Sequence, residues 1–218
     1  DADDSADRKA QDTLEAIGKR QNVHSDLLAS VRAIQKKGLE VSGGFIVGFD
    51  SDREVIFDRQ IHFIEAAAIP TAMVGLLTAL PRTRLHARLA AEGRMLAPSG
   101  GGNNTHDLEL NFRPRMDANL LRAGYKRVLG DVYRPRRYFT RCLRMILRMK
   151  HQKASCRRIR MTELRAFAYS LVRQTFTHYA LNYWAYLLRG LMRRPLMAAE
   201  IVALAVKGHH FFTITEGL

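Results

Sequence analysis

Asp50, Asp52 and three glycines crowd one short stretch, Glu40-Val-Ser-Gly-Gly-Phe-Ile-Val-Gly-Phe-Asp-Ser-Asp52. Gly43, Gly44 and Gly48 flank the apolar Phe45, Ile46 and Val47. Glycines at a strand end let a ligand approach the backbone closely. Branched apolar side chains between them can pack against a flat ring, and backbone N–H and C=O groups can read its edge. Asp52 can accept from a ligand hydroxyl or amine, or it can favour a helix N-terminus through the dipole. A purely structural role for the whole stretch stays open beside these.

Other reactive residues point less clearly to chemistry. Cys142 and Cys156 lie far apart with His151 between them, and no zinc or iron–sulfur spacing fits. They read as two unrelated thiols. His209-His210 sits among aromatics and reads as packing or surface. There is no serine elbow, no H-E-x-x-H and no Walker sequence. Tyr133-Arg-Pro-Arg-Arg-Tyr138 and Cys156-Arg-Arg-Ile-Arg160 can bind phosphate or form ordinary helix surface. Pro98–Asp107 is loop by composition, an anion cradle or a plain linker.

The glycine stretch needs elements to hold it. Ser25 can cap a helix with Leu27, Leu28, Val31 and Ile34 on one side, ended by Gly38. A strand over Leu39–Phe49 follows. Ser51-Asp-Arg-Glu54 has the capping-box pattern and opens a helix with Ile56, Phe57, Ile61 and Ile64 at core spacing. Ala72–Leu80 is a second run of strand length. Pro81-Arg-Thr83 turns the chain into a helix carrying Leu85, Leu89 and Ala90, which stops at Gly93. This α-β-α-β-α order argues for parallel strands joined by crossover helices. Two strands cannot form a stable closed sheet alone, so the first half reads as part of a larger α/β domain.

After Phe112 the pattern is helical. Asp117 can cap Ala118–Gly130, which would bury Leu120, Leu121, Tyr125 and Val128. Pro135 suits the first turn of a helix reaching about Lys150. Thr162 opens one long apolar-faced segment towards Arg189 that includes Leu171, Phe176 and Trp184. Pro195 starts a last helix ending near Gly208, and the aromatic, β-branched tail His209–Thr215 is expected to be extended.

The 218 residues carry a net charge of +14, and the basic excess lies mainly after Phe112. Such a balance raises RNA or an anionic membrane surface as partners. Solvated, arginine-rich helix faces are the plainer account. Two cysteines exclude a disulfide framework and suggest a reducing cytosol. The acidic opening Asp1-Ala-Asp-Asp-Ser does not read as a signal peptide. No run reaches the ~18 uncharged apolar residues of a membrane span. The expected location is cytoplasmic, with peripheral membrane contact as the variant.

At its glycine-rich strand the sequence resembles the radical S-adenosylmethionine (SAM) enzymes, most closely the cobalamin-binding branch with a DUF4070-type C-terminal extension. Gly44-Phe-Ile-Val-Gly48 matches the family's G-x-I-x-G strand, and Asp52 falls where a Glu is usual. Ala72-Met-Val-Gly-Leu-Leu-Thr-Ala-Leu-Pro81 resembles the following strand. Asn111-Phe-Arg-Pro-Arg-Met-Asp117, Gly124-Tyr-Lys-Arg127, Tyr133–Tyr138 and Gly208-His-His-Phe211 resemble the extension. The likeness covers the chain from about Thr13. It implies an adenine-side wall for SAM from Gly44, Ile46, Gly48, Leu77 and Pro81, with Asp52 as a polar contact.

The departures are as informative. The C-x-x-x-C-x-x-C that holds the family's [4Fe–4S] cluster is absent from the sequence, as is the cobalamin-binding domain. Arg82 stands where the family usually has Gly after that Pro. The expectation is therefore the C-terminal portion of a radical SAM enzyme: residues 1–97 from a partial TIM-like α/β barrel, 98–112 a linker, and 113–218 a basic all-α domain. Its first partner would be the missing barrel and cobalamin-binding portion, in the same or a separate chain. The alternatives are a basic helical module for RNA or an anionic membrane surface, and a degenerate scaffold.

Overall fold

A computed structural model describes residues 26–96, 108–150 and 161–217. Ser25, the Pro98–Asp107 loop, His151 and Cys156 lie outside the described residues. The described chain is mixed α/β and mostly helical. Its elements are α1 (Leu27–Lys36), β1 (Ser42–Val47), α2 (Val55–Ala67), β2 (Thr71–Leu76), α3 (Arg84–Ala91), α4 (Ala118–Val132), α5 (Pro135–Arg148), α6 (Met161–Thr175), α7 (Ala180–Arg193) and α8 (Ala198–Glu216). The α-β-α-β-α order of the first half is as expected. The strands pair side by side, parallel, with α2 as the crossover. Both are shorter than the apolar runs that predicted them, because glycine and turn residues end the ladder.

The described residues form two compact units, one of residues 26–27, 44–62, 73–96 and 108–129, the other of residues 28–43, 63–72, 130–150 and 161–217. In the first, Leu77, Ala79, Leu89 and Phe112 make a buried cluster, with Phe49, Leu85 and Met95 packed against it. Asp117 accepts from the N–H groups of Asn119 (3.0 Å) and Leu120 (2.9 Å), the expected cap of α4. Leu121, Tyr125 and Val128 are buried, whereas Leu120 lies on the outer side of α4 and is exposed.

In the second unit, α5, α7 and α8 pack on one another and α6 packs on α7 and α8. Pro135 occupies the first turn of α5, as its fixed φ favours. Tyr138 and Phe139 of α5 meet Phe212 edge-on at 5.4 and 5.5 Å. The Tyr138 hydroxyl donates to the Leu204 carbonyl (2.8 Å), and that of Tyr186 to Ile201 (3.1 Å). These bonds satisfy the polar ends of otherwise apolar rings.

Two expectations are corrected here. The last helix does not end near Gly208: residues 209–215 are helical in α8, not extended. Their β-branched types favour a strand, but packing overrides that preference. Phe211 stacks on Tyr133 at 4.4 Å, and Phe212 is buried. Thr213 and Thr215 donate back to the carbonyls of His209 (3.0 Å) and Phe211 (2.9 Å), four residues earlier, as helical threonines do. The segment from Thr162 towards Arg189 is two helices, α6 and α7, with a turn between them. Helix α1 buries Gln35, half-buries Leu28 and Val31 and leaves Leu27 and Ile34 exposed. The Gln35 amide donates to the carbonyls of Ala67 (2.9 Å) and Ala68 (3.0 Å), capping the end of α2.

Candidate functional site

The sheet alternates. Val47, Ala72 and Val74 are buried, while Ser42, Gly44, Ile46 and Met73 face outward. Ile46 is 46% exposed, and a methyl group placed on Gly44 would meet nothing within 4 Å. β-strand alternation sends residues two apart to one face. Gly44 and Ile46 therefore offer an open strip of bare backbone beside a branched apolar side chain. The Gln60 amide donates to the Ile46 carbonyl (3.0 Å), which holds the strip from α2.

Beyond the strip the backbone turns sharply. Gly48 adopts φ +108°, a conformation that L side chains rarely take, and it is buried. A Cβ there would sit 3.2 Å from Leu121 Cδ2 and 3.5 Å from the Leu77 side chain. Gly48 thus shapes the turn from beneath and does not bare a surface. Asp52 closes it. One carboxylate oxygen, Oδ2, accepts from the N–H groups of Gly48 (2.8 Å) and Phe49 (3.0 Å), and the Asp52 N–H donates to the Phe49 carbonyl (2.9 Å). Burial pushes the Asp52 carboxyl above its usual range, and these two amides pull it back. The capping box expected at Ser51–Glu54 is not the arrangement found. Helix α2 starts at Val55, and Asp52 reaches back to the glycine turn.

Leu77 continues the ladder past β2, its N–H donating to the Val47 carbonyl (2.8 Å), while its side chain is in the core. Only its backbone is left for a ligand. Pro81 lies in an exposed turn, followed by Arg82 at φ +66°. A non-glycine residue pays about 1–2 kcal/mol for this left-handed region. Arg82→Gly is therefore expected to stabilise the chain by up to about 1 kcal/mol, after glycine's own entropy cost. A thermal melt checks this; an unchanged or lowered Tm means the arginine side chain contributes something that glycine loses.

Sequence reasoning missed what holds this region. The Asn111 side-chain amide bonds Ala79 twice, donating to its carbonyl (2.9 Å) and accepting from its N–H (3.0 Å). That pair imitates a strand ladder and fixes the Leu77–Ala79 backbone. Arg94 grips Asp50 through two nitrogens (3.0 and 2.7 Å), with Arg88 at 3.0 Å and Arg115 at 3.9 Å. The Arg94 hydrogen bond, more than the nearby charges, holds the Asp50 carboxyl below its usual range. Spacing alone carries no signal for either contact, since Asn111 and Ala79 are 32 residues apart and Arg94 and Asp50 are 44 apart.

The arrangement can position a flat apolar group. It is not built for proton transfer, because Asp50 is locked by arginine and Asp52 by backbone amides. Cys142 is buried in α5, and burial pushes its thiol up to about 12. His209 packs against the Tyr179 hydroxyl. Among the described residues, no group of three or more His, Cys, Asp or Glu side chains could hold a metal ion.

Residues 83–218 match the family described as "Domain of unknown function (DUF4070)". The chain is 31% identical over 209 residues to an "Uncharacterized methyltransferase" of Synechocystis sp., covering 94% of this chain and 39% of that protein. It is 29% identical over 208 residues to the "Hopanoid C-2 methylase" of Rhodopseudomonas palustris, covering 90% of this chain and 37% of that one. The chain thus spans about two fifths of the length of the curated relatives it matches. No solved structure matches it. The family match and the two relatives bear out the resemblance read from the sequence.

Proposed function

The chain belongs to the DUF4070 family, and from that premise we propose that it supplies the adenine-side wall of a SAM site in a radical, cobalamin-dependent methylating enzyme. The carrying observation is the open strip on β1, with bare backbone at Gly44 beside the exposed Ile46. An adenine face would lie against Ile46, and its edge would meet the Gly44 backbone. Leu77 and Pro81 would border the ring from the second strand. Asp52 contributes indirectly, by holding Gly48 in its turn. In this reading β1 and β2 are two strands of a larger closed barrel, and the outward face of the sheet is the barrel's lumen.

The names of both relatives speak of methyl transfer, which supports SAM as the ligand. Bound SAM supplies the adenosyl or methyl group, and the protein's part is placement and exclusion of water. A [4Fe–4S] cluster does not fit the described residues, since Cys142 is a buried, protonated thiol and is the one free cysteine among them. The cluster and cobalamin belong to the barrel and cobalamin-binding portion that would partner this one. The 218-residue chain is therefore inactive alone.

Two measurements test this. After anaerobic reconstitution with iron and sulfide, the 218-residue chain should release no 5′-deoxyadenosine from SAM; clear production would overturn its inactivity. Photolabelling with an 8-azidoadenine analogue of SAM should mark the peptides holding Gly44–Gly48 or Leu77–Pro81. Labelling confined to other peptides, or none, would remove the wall.

A further inference from the structure

Helix α6 buries polar side chains and exposes apolar ones. Its inner side carries Ser170 and Gln174, the latter fully buried, beside the half-buried Phe167 and Leu171; its outer side carries Tyr169 and Val172, and Phe176 follows in the turn just past the helix. Phe176 is 86% exposed. The polar pair bond one another (2.7 Å), and Gln174 donates to the Ala205 carbonyl (3.1 Å), so the helix is anchored by its polar side. A helix on an ordinary water-facing surface shows the reverse pattern.

Helix α7 repeats the outward apolar stripe. Leu181, Trp184, Leu188 and Met192 fall at i, i+3, i+7 and i+11, within an arc of about 80° at 100° per residue. Leu181 is 86% and Met192 82% exposed. Tyr183, Tyr186, Leu187 and Gly190 are buried on the opposite side of the helix. The core therefore accounts for one face of α7 and leaves the other unexplained. Just past the helix, Leu196 is exposed as well.

Charge selects what covers these faces. Residues 164–199 contain five arginines and no Asp or Glu. Arg173 is exposed on α6, and Arg189 and Arg193 are exposed on α7. Apolar stripes with arginines beside them, an exposed Trp and Tyr, and Glu216 on His178 as the acidic neighbour at 3.6 Å match a surface that lies in the headgroup layer of an anionic bilayer. RNA would take the arginines but leave Phe176, Leu181 and Met192 in water. A second copy of the chain would bring like charge against like charge. No described helix is long and apolar enough to cross a membrane, which leaves interfacial contact as the mode.

We propose that the outer faces of α6 and α7 form a docking surface for anionic lipid membranes. This reading does not depend on the SAM wall, and its test reports on different residues. The chain's single tryptophan, Trp184, lies within the α7 stripe and serves as the probe. Vesicles of phosphatidylglycerol and phosphatidylcholine, mixed about 3:7, should shift its emission to the blue, and brominated acyl chains should quench it; neutral phosphatidylcholine vesicles should do far less.

The variant F176S/L181S/M192S changes only exposed side chains and should lower vesicle affinity at least about tenfold. The variant R173Q/R189Q/R193Q should erase the preference for anionic over neutral vesicles. No blue shift with anionic vesicles sinks the proposal, as does an affinity that the serine variant leaves unchanged. Light scattering supplies a third refutation, if the unaltered chain is a dimer that the serine variant turns into a monomer. An equal response to single-stranded RNA is the fourth, since it would assign the surface to nucleic acid.

Discussion

Replacing Arg141 by methionine is expected to cost the second unit about 2–4 kcal/mol of stability, chiefly from buried carbonyls that lose a charged donor. Arg141 is fully buried. Its guanidinium donates to the Ile69 carbonyl (2.6 Å), the Val132 carbonyl (3.0 Å) and Glu65 Oε1 (2.7 Å). It also lies 5.6 Å from the centre of the Tyr138 ring. Methionine fills much of the volume but leaves the buried Ile69 and Val132 carbonyls without their donor, while the half-buried Glu65 keeps Arg144 at 3.4 Å. Arg141→Lys should recover only part of the loss, because one ammonium cannot match the planar fork of donors. Urea unfolding followed by Trp184 emission, which reports on the same unit, checks this. If Arg141→Met lowers stability by less than about 1 kcal/mol, the bonds drawn to Arg141 do not hold the end of α2.

That arginine also shows where sequence reading runs out. It is one of 35 basic residues, and nothing in its spacing separates it from the solvated arginines around it. Periodicity finds what repeats along one element, such as Phe57, Ile61 and Ile64 on α2 or the turn of Pro135 into α5. It also found Gly38, which ends its helix at φ +89°. It cannot find a polar side chain that caps another element from far along the chain. Gln35, Asn111 and Arg141 all act that way, and all three are buried. Helix α6 marks a related limit, since its apolar spacing does not say that Tyr169 and Val172 face outward. Apolar spacing says that a face is apolar, not that the face is inside.

The six residues named for the candidate wall do not share one face of the structure. Gly44 and Ile46 are exposed on the outward face of β1, Gly48 and Leu77 are buried, Asp52 holds the turn and Pro81 lies in the exposed turn after β2. The reason is the strand's own alternation. A motif written as a string places neighbours together, but a β-strand sends successive side chains to opposite faces. Gly48 is also read differently in three dimensions. Its freedom is used for a positive φ and for the close approach of Leu121.

The same substitution, glycine to alanine, should have opposite effects at two positions of α4. At Gly124 a Cβ would come within 2.2 Å of Phe57 Cε2 and Cζ and 2.5 Å of Cε1, so it would lie on the ring itself. Phe57 is 1% exposed and has no room to retreat. Alanine's better helix propensity returns about 1 kcal/mol, but an overlap this deep in a packed core costs more than that. The net expectation for Gly124→Ala is a loss of at least about 2 kcal/mol. At Gly130 nothing lies within 4 Å, and Gly130→Ala should stabilise by about 0.5–1 kcal/mol. Phe57→Leu in the Gly124→Ala background should recover part of the loss, with a coupling of about 1–2 kcal/mol in a double-mutant cycle. Strictly additive effects would mean that ring and glycine do not meet. The consequence reaches the candidate site, because Leu121, one turn before Gly124, packs under Gly48. Pushing α4 off Phe57 would lift Leu121 from that glycine turn. Photolabelling of Gly44–Gly48 should then weaken in Gly124→Ala and remain in Gly130→Ala.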